Sequence, residues 1–273
     1  EAIGRVLTLA EWTGARVHIA HHSAADSLFV LRAAKQRGVD VTVETCPQYL
    51  LLNTKDMLRL GGILRLNPPI REERHNLPLW DALMDGTIDM IATDHAPHTP
   101  EEKTRESIWQ CDCGFPGVET QMPLMLTEVN RQRATLMDYV KWSAVAPAKA
   151  WGLYGTKGVL AVGAHADIAV VDMDRRAVLS QGRLQSISKI SPWNGRAVHG
   201  APIHTLVRGR FVMRDGRLVS EAAGWGQSVK SVQRMPTPKP RNTEHYSSQI
   251  LRTPAGVPST AVPTDPAALE GAA

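Results

Sequence analysis

The sequence has little cysteine, few aromatic residues and no long apolar run. Its 273 residues include three cysteines, Cys46, Cys111 and Cys113, which are odd in number and lack a C-x-x-C pair. This argues against a disulfide framework and against a structural zinc knuckle. No segment approaches the roughly eighteen apolar residues of a transmembrane helix, and no charged-then-apolar leader opens the sequence. We therefore expect no membrane partner and a cytoplasmic location.

An excess of charge of one sign is also missing. The formal net charge is +4, and acidic and basic residues are interleaved in both halves of the chain. Because no basic patch stands out, we predict no nucleic-acid partner. The content of 43% hydrophobic and 21% charged residues is typical of a globular protein whose length suits a large domain with a small companion.

The first half of the chain alternates predicted strands and helices. Hydrophobic periodicity predicts strands over residues 16–20, 41–45 and 88–92, and helices over 25–36, 55–60, 71–84, 118–130, 135–143 and 147–153. Glu1 is not a methionine and helical spacing begins at Ile3, so we expect the chain to start inside a helix of a longer protein. Three parallel strands are too few for a stable sheet. The pattern predicts an α/β fold in which residues 1–154 form the C-terminal part of a TIM-type (β/α)8 barrel.

A second pattern begins after Gly155. Short β-rich runs over 167–172, 204–207 and 210–213 are separated by glycines, and Arg214-Asp-Gly has the composition of a hairpin turn. We predict a small β domain over residues 155–222. Residues 223–273 are rich in proline, serine, threonine and alanine toward their end, which predicts a flexible tail.

Two predicted strands end in side chains that can bind metal. Alternation places His21 on the same face as Val17 and Ile19, and Asp94 on the same face as Ile88 and Met90. Active sites of β/α barrels form at this carboxyl end of the strands, and imidazole and carboxylate are common zinc ligands. An aspartate beside a metal can also accept a proton from water that the ion acidifies. Taken singly, each residue could simply cap a loop or helix, but together they favour a metal site.

The residues around this pair receive simpler interpretations. His18 and His22 fall on the opposite strand face, so we expect them to pack or to bond locally. We expect Glu101, Glu102, Lys103 and Arg105 to form a solvated helix start. The glycine-rich loop at 114–117 lacks the Lys-Ser/Thr pair of a phosphate-binding loop and is predicted to be a tight substrate loop.

Five motifs resemble those of dihydroorotases, in the amidohydrolase superfamily of metal-dependent cyclic amidases. They occur in the family's order, and the resemblance covers roughly residues 1–220. The motifs are His21-His-Ser, Glu44-Thr-Cys-Pro-Gln-Tyr49, Asn67-Pro-Pro-Ile-Arg71, Thr93-Asp-His-Ala-Pro-His-Thr-Pro-Glu-Glu-Lys103 and Gly114-Phe-Pro-Gly-Val-Glu-Thr120.

The resemblance implies a zinc-dependent hydrolase that opens dihydroorotate to N-carbamoyl-aspartate in pyrimidine biosynthesis. It implies a two-zinc centre in which His21 ligates one ion, while Asp94 ligates the other and acts as general base. It further implies that the ring is held by Asn67 and by the backbone at Cys113 and Gly114, and that His98 helps to bind the substrate carboxylate. The implied partner is a small cyclic amide, and a homo-oligomer is expected at the family level.

Other members of the superfamily remain as alternatives. Asn67 and His98 favour dihydroorotate, whereas Cys46-Pro-Gln-Tyr is similar to hydantoinases or dihydropyrimidinases and Ser191-Pro-Trp-Asn-Gly195 to allantoinases. A metal-free scaffold protein is a third possibility, against which His21 and Asp94 count. The family's other metal ligands would lie upstream of Glu1. Since catalytic zinc usually has three protein ligands, we expect this chain alone to be inactive.

Overall fold

A computed structural model describes residues 1–230 of the chain. Most of the predicted tail, residues 231–273, lies outside the described residues. Within residues 1–230, none of the helices is both long enough and apolar enough to cross a membrane. The described chain contains a parallel sheet with helices, followed by an antiparallel sheet.

The parallel sheet has three strands in the order β1-β2-β3. They are β1 (Val17–Ile19), β2 (Val41–Thr45) and β3 (Met90–Ile91), with Val17 opposite Val41 and Glu44 opposite Met90. Helix α1 (Ala2–Thr13) precedes β1, and α2 (Leu28–Gln36) connects β1 to β2. Since the strands are parallel and adjacent, their carboxyl ends lie along one edge of the sheet. The predicted β-α-β order is found in the structure.

Helices α3 to α9 complete this region. Between β2 and β3 lie α3 (Pro47–Leu51), α4 (Thr54–Leu60) and α5 (Asn76–Met84). After β3 come α6 (Pro100–Lys103), α7 (Gln121–Asn130), α8 (Leu136–Val140) and α9 (Ala146–Ala150), the last two joined by a π-helical turn over 141–145. Helix α3 was not predicted, because five residues are too few to show a helical period.

The core lies between the parallel sheet and the helices. Along β2, Val41, Val43 and Thr45 are buried, whereas Thr42 and Glu44 on the other face are only partly buried. Leu31 of α2, Leu79 of α5 and Trp142 of the π-helical turn are among the fully buried side chains. The half-buried polar face of β2 therefore points away from this core and carries Glu44 at the carboxyl end of the strand.

The antiparallel sheet contains four strands in chain order. They are β4 (Ile168–Val178), β5 (Ala197–Val207), β6 (Arg210–Arg214) and β7 (Arg217–Leu218). Asp215 and Gly216 have φ angles of 51° and 72°, as expected for the predicted hairpin turn between β6 and β7. Strands β4 and β5 are longer than predicted, because each continues past a register shift in their ladder.

The sheet also packs on chain beyond residue 222. The indole Nε1 of Trp225 donates to the carbonyl of Val207 at 2.7 Å, and the Arg210 guanidinium lies 5.0 Å from the centre of the indole ring. The ordered contacts of the small sheet therefore extend past the boundary at residue 222 that the sequence predicts.

Candidate metal and substrate site

His21 and Asp94 lie at the same edge of the parallel sheet. His21 follows β1 and Asp94 follows β3, so the two positions flank the carboxyl end of β2. Both residues have left-handed backbone conformations, with φ angles of 38° and 49°. Such conformations cost non-glycine residues about 1–3 kcal/mol and persist where the surrounding structure enforces them. The local backbone therefore turns sharply at both of the predicted ligands.

The charges of this edge act on each other. Burial raises the pKa of Asp94, the nearby His21 imidazole lowers it, and the Glu44 carboxylate raises it, which leaves the pKa above its ordinary value. These effects require His21 and Glu44 to lie within electrostatic range of Asp94. The structure thus groups one imidazole and two carboxylates at the carboxyl edge of the sheet.

Glu44 is a site residue that the sequence reasoning did not single out. Its Oε1 accepts a hydrogen bond from the backbone N–H of His21 at 3.2 Å, and its Oε2 lies 3.1 Å from Nε2 of His18. The His18 ring is fixed in turn by Thr42, 2.8 Å from Nδ1. The position of Glu44 at the carboxyl end of the predicted strand is a signal that could have drawn attention to it. Strand alternation alone puts Glu44 on the face of His18, opposite to His21, and the sharp turn of the backbone at His21 brings the two residues together.

The predicted local role of His18 is confirmed by these contacts. His22 also packs as expected, with 3% of its surface exposed, and burial lowers its pKa to about 4. Although burial raises the pKa of Glu44, hydrogen bonds from His18 and from the His21 backbone outweigh it and hold the pKa below its ordinary value. Glu44 therefore faces His18 and His21 as a carboxylate at neutral pH.

The donor set at this edge fits part of a zinc site. The His21 Nδ1 atom is buried, and within residues 1–230 it has no hydrogen-bond partner. A buried ring nitrogen without a partner is costly, and a metal ion would satisfy it. Among the described residues, Nε2 of the neighbouring His22 is unpartnered in the same way, so it is the place of His21 beside Asp94 at the sheet edge that singles it out. The Asp94 carboxylate supplies a second ligand of a type that zinc accepts. Two ligands are fewer than the three that catalytic zinc usually takes from a protein.

Another group of possible ligands lies elsewhere. Among residues 1–230, His98, Glu102 and Asp112 have ligand atoms within 4.8 Å of one another. His98 and Glu102 already contact each other, with 3.2 Å between Nδ1 and Oε2. We assign no metal to this group, because His98 and Glu102 are held by contacts within the chain and Asp112 is exposed.

The structure brings the predicted ring-binding segments together. The Gly114 N–H donates to the carbonyl of Arg65 at 3.0 Å, which joins the segment of Cys113 and Gly114 to the segment of Asn67. Gly114 has a φ of 123°, and a Cβ atom there would lie 2.5 Å from the Cβ of Ala96. Glycine is therefore needed where this segment approaches the loop after β3.

The His98 ring contacts the backbone of Cys113. Its Nε2 lies 3.0 Å from the carbonyl oxygen of Cys113, and its Nδ1 contacts Glu102. Both ring nitrogens are thus occupied within the chain. The expected contact between His98 and a substrate carboxylate would have to replace one of these bonds, whereas the observed contacts position Cys113.

Lys103 corrects the expectation of a solvated helix start. Only 1% of its surface is exposed, and its ammonium group donates to the carbonyls of Arg65 at 2.8 Å and Asp112 at 2.6 Å. The expectation was wrong for this residue because α6 is only four residues long and packs its last side chain against both segments. Burial lowers the pKa of Lys103 to about 8.

The sequence profile of the Amidohydrolase family matches residues 2–212. The chain belongs to this family. An L-hydantoinase of Paenarthrobacter aurescens is 38% identical over 232 residues, which are 84% of this chain and 50% of the relative. A dihydroorotase of Bacillus caldolyticus is 40% identical over 216 residues, 79% of this chain and 50% of the relative. The family that the motifs predicted is confirmed.

Solved structures of this amidohydrolase family have the same fold. L-hydantoinase from Arthrobacter aurescens superposes with a TM-score of 0.78 at 37% identity, over 80% of this chain and 49% of that one. Dihydropyrimidinase from Brevibacillus agri gives a TM-score of 0.80 at 30% identity, over 86% and 52%. The chain spans about half the length of the relatives it matches. The predicted fold class, part of a TIM-type barrel followed by a small β region, is confirmed.

Proposed function

We propose that this amidohydrolase chain belongs to a zinc-dependent hydrolase of cyclic amides whose substrate is dihydroorotate, opened to N-carbamoyl-aspartate. The observation that supports this proposal best is the pairing of His21 and Asp94 at the carboxyl edge of the parallel sheet, with a buried imidazole nitrogen left unpartnered. The proposal includes the cytoplasmic location and the homo-oligomer expected from the sequence. The remaining ligands of a two-zinc centre would come from outside this chain, which spans about half the length of the relatives it matches.

His21 and Asp94 would hold the metal, one on each of two zinc ions. Zinc supplies Lewis acidity, which polarises a carbonyl and makes water a better nucleophile near neutral pH. Asp94 takes the proton of the attacking water on its carboxylate and returns it to the ring nitrogen that leaves. Glu44 keeps the His21 backbone in place during this transfer through the bond to its N–H.

The ring is held on the side of the Arg65–Gly114 contact. The Asn67 side chain can both donate to and accept from the imide of a ring. The Gly114 backbone is bonded to Arg65, two positions before Asn67. Asn67 is exposed, Cys113 is half-buried and Gly114 is buried. The ring would thus meet polar groups on a surface formed by Asn67, Cys113 and Gly114. The close approach of Gly114 to Ala96 fixes the position of this surface.

A hydantoin is the second candidate substrate. It is favoured by the L-hydantoinase relative, whose match covers 84% of this chain, and by the Cys46-Pro-Gln-Tyr49 motif. Allantoin is a further ring of the same class. The same residues would act on all three rings, since each contains a cyclic amide bond.

Turnover of the zinc-loaded intact protein tests the proposal. We expect kcat/KM for dihydroorotate to exceed that for a hydantoin and for allantoin, and chelation of zinc to abolish activity. Asp94→Asn should lower kcat by about 10²–10⁴-fold, because it removes the proton acceptor. The control Asp215→Asn alters an exposed hairpin aspartate and should leave kcat unchanged.

Three results would count against the proposal. A higher kcat/KM for hydantoin or allantoin would reassign the substrate. Near-normal turnover by Asp94→Asn would remove Asp94 from the mechanism. A protein isolated without zinc and inactive on all three rings would favour the metal-free scaffold.

A further inference from the structure

Lys103 carries a buried charge that the proposed mechanism does not use. Its ammonium group donates to two backbone carbonyls, those of Arg65 and Asp112, at 2.8 Å and 2.6 Å. The two acceptors come from chain segments far apart in sequence, one between α4 and α5 and the other between α6 and α7. Lys103 therefore joins, through hydrogen bonds, two segments that are distant in the sequence.

These two segments carry the residues proposed to hold the ring. Asn67 follows Arg65 by two positions, and Cys113 and Gly114 directly follow Asp112. The carbonyl of Arg65 accepts from both the Lys103 ammonium and the Gly114 N–H, at 2.8 Å and 3.0 Å. The Arg65 guanidinium also donates to the carbonyl of Cys111. The separation of the two ring-binding segments is thus set by bonds that converge on Arg65 and Lys103.

The position of Lys103 is itself fixed. Thr99 and Glu102 form a reciprocal capping box that defines the single turn of α6. The carbonyl of Glu102 accepts from the Asp112 N–H at 3.0 Å, and the Lys103 carbonyl accepts from the Cys111 thiol at 3.4 Å. These backbone contacts hold the main chain at Lys103 in place, and from there its side chain reaches the carbonyls of Arg65 and Asp112.

A buried ammonium is an expensive way to fill this space. Moving a charge out of water costs free energy unless partners compensate it, and within residues 1–230 the hydrogen bonds of this ammonium go to neutral carbonyl oxygens. A methionine would fill a similar volume without that cost, whereas only a donor can bridge two carbonyls. The Lys103 ammonium is therefore better suited to positioning the two segments than to stabilising the fold.

We propose that Lys103 is a positioning residue that holds the Asn67 segment and the Cys113–Gly114 segment at a fixed separation, and so determines the affinity of the site for its cyclic amide. This inference rests on the proposed function, because the ring-binding role of the two segments belongs to it. Lys103 lies outside the chemical step, so its loss should change substrate binding more than turnover.

The test compares Lys103→Met with Lys55→Met in the zinc-loaded intact protein. Lys55 is an exposed lysine paired with Glu73, so its variant controls for loss of a lysine charge. We expect Lys103→Met to raise KM by about tenfold or more, with kcat within about threefold and zinc content unchanged, and Lys55→Met to change neither constant. A purely structural role would lower the active fraction, and hence the apparent kcat, at constant KM. That result, or wild-type constants, would overturn the inference.

Hydrogen exchange at the Gly114 amide provides a readout without substrate. This N–H donates to the Arg65 carbonyl, so it should exchange at least about tenfold faster in Lys103→Met than in the wild type. Unchanged exchange would contradict the inference. If Lys103→Met does not fold, Lys103→Gln, which keeps one donor group, takes its place with smaller changes of the same sign.

The two proposals fail in different ways. A wild-type protein that holds zinc but opens none of the three rings would refute the proposed function, and with it the assignment of Lys103 to ring affinity. A wild-type protein that opens dihydroorotate while Lys103→Met retains its KM would refute the Lys103 inference alone.

Discussion

His21 and Asp94 combine strained backbone with charge at single positions. Each has a positive φ, and the His21 imidazole lowers the pKa of Asp94, against the larger effect of burial. Strain of this kind is retained where neighbouring contacts enforce it, and it is common at functional sites. For His21 the enforcing contact is visible, since Glu44 accepts its backbone N–H.

Removal of the Glu44 carboxylate should weaken the hold on zinc. We expect Glu44→Ala to lower the zinc affinity of the intact protein by about 10–100-fold, because the backbone at His21 loses its acceptor. Glu44→Gln should lose less, since its amide oxygen can still accept that N–H. Competition with a zinc chelator measures the affinity.

The control for Glu44 is Glu73→Ala, which removes an exposed carboxylate paired with Lys55. Its zinc affinity should equal that of the wild type. Equal affinities in Glu44→Ala and Glu73→Ala would show that the bond to His21 does not position the ligand.

At the scale of elements, the segment over residues 112–117 is shaped by what it lies against. The Ala96 N–H donates to the carbonyl of Phe115 at 3.2 Å, and the Gly117 N–H donates to Nδ1 of His95 at 3.0 Å. His95 therefore supports this segment through its ring nitrogen. The loop after β3 and the 112–117 segment form one unit, so a change in either should alter the proposed ring-binding surface of Asn67, Cys113 and Gly114.

Gly114→Ala should damage this unit. The methyl group would have to occupy a backbone of φ 123° and would lie 2.5 Å from Ala96 Cβ, so we expect about 1–3 kcal/mol lower free energy of unfolding and a raised KM. Urea unfolding and steady-state kinetics measure both effects.

Gly86→Ala is the matched control for Gly114→Ala. Gly86 has a φ of 80°, but no atom lies within 4 Å of the added Cβ, so it carries the conformational cost without the collision. Its KM should be that of the wild type. A raised KM in Gly86→Ala as well would mean that general destabilisation, rather than displacement of the segment, explains the Gly114 variant.

At the scale of the whole molecule, the two sheets are connected through α7. The Asn130 side-chain amide donates to the carbonyls of Met173 in β4 and His199 in β5, at 2.8 Å and 2.9 Å. The His199 N–H donates to Thr127 of α7 at 2.9 Å. Leu124 and Leu126 of α7 also belong to the same buried core cluster as Val43 of β2. We therefore expect the two sheets of the described chain to unfold together.

The pH dependence of unfolding should reveal the buried Lys103. Its pKa is about 8 in the folded chain and near 10.5 when unfolded, so between these values the unfolded state binds more protons. Stability of the wild type should therefore rise with pH across this window, relative to Lys103→Met. Urea unfolding of both proteins at pH 7.5 and pH 10 measures the difference.

The exposed Lys55 gives the opposite sign. Its hydrogen bond with Glu73 raises its pKa, so any contribution it makes is present below the ordinary lysine pKa and is lost as pH rises through the raised value. The free energy of unfolding of the wild type should therefore rise with pH relative to Lys103→Met. It should show no such rise relative to Lys55→Met. If the difference between wild type and Lys103→Met does not change with pH, the folded ammonium is not desolvated.

Local sequence patterns determined much of the secondary structure and the family. Strand β2 has the predicted bounds, 41–45, because its alternating burial is strong and it is bounded by clear breaks. Strand β3 is shorter than predicted, since only Met90 and Ile91 of the apolar run pair with β2. The five motifs identified the family because they preserve residue types in order, which a one-dimensional pattern records.

The sequence by itself determined the β/α order, the family and the two candidate ligands, because periodicity and motif order are local properties. Only the tertiary structure decided the long-range contacts of Glu44, His98 and Lys103. Glu44 bonds to residues 23 and 26 positions away, His98 contacts the carbonyl of Cys113, and Lys103 bonds to Arg65, 38 positions away. Glu44 became a support for His21 through strand pairing, and Lys103 changed from an expected surface residue to a buried bridge. Burial and long-range hydrogen bonds arise when distant segments pack, so no local pattern contains them.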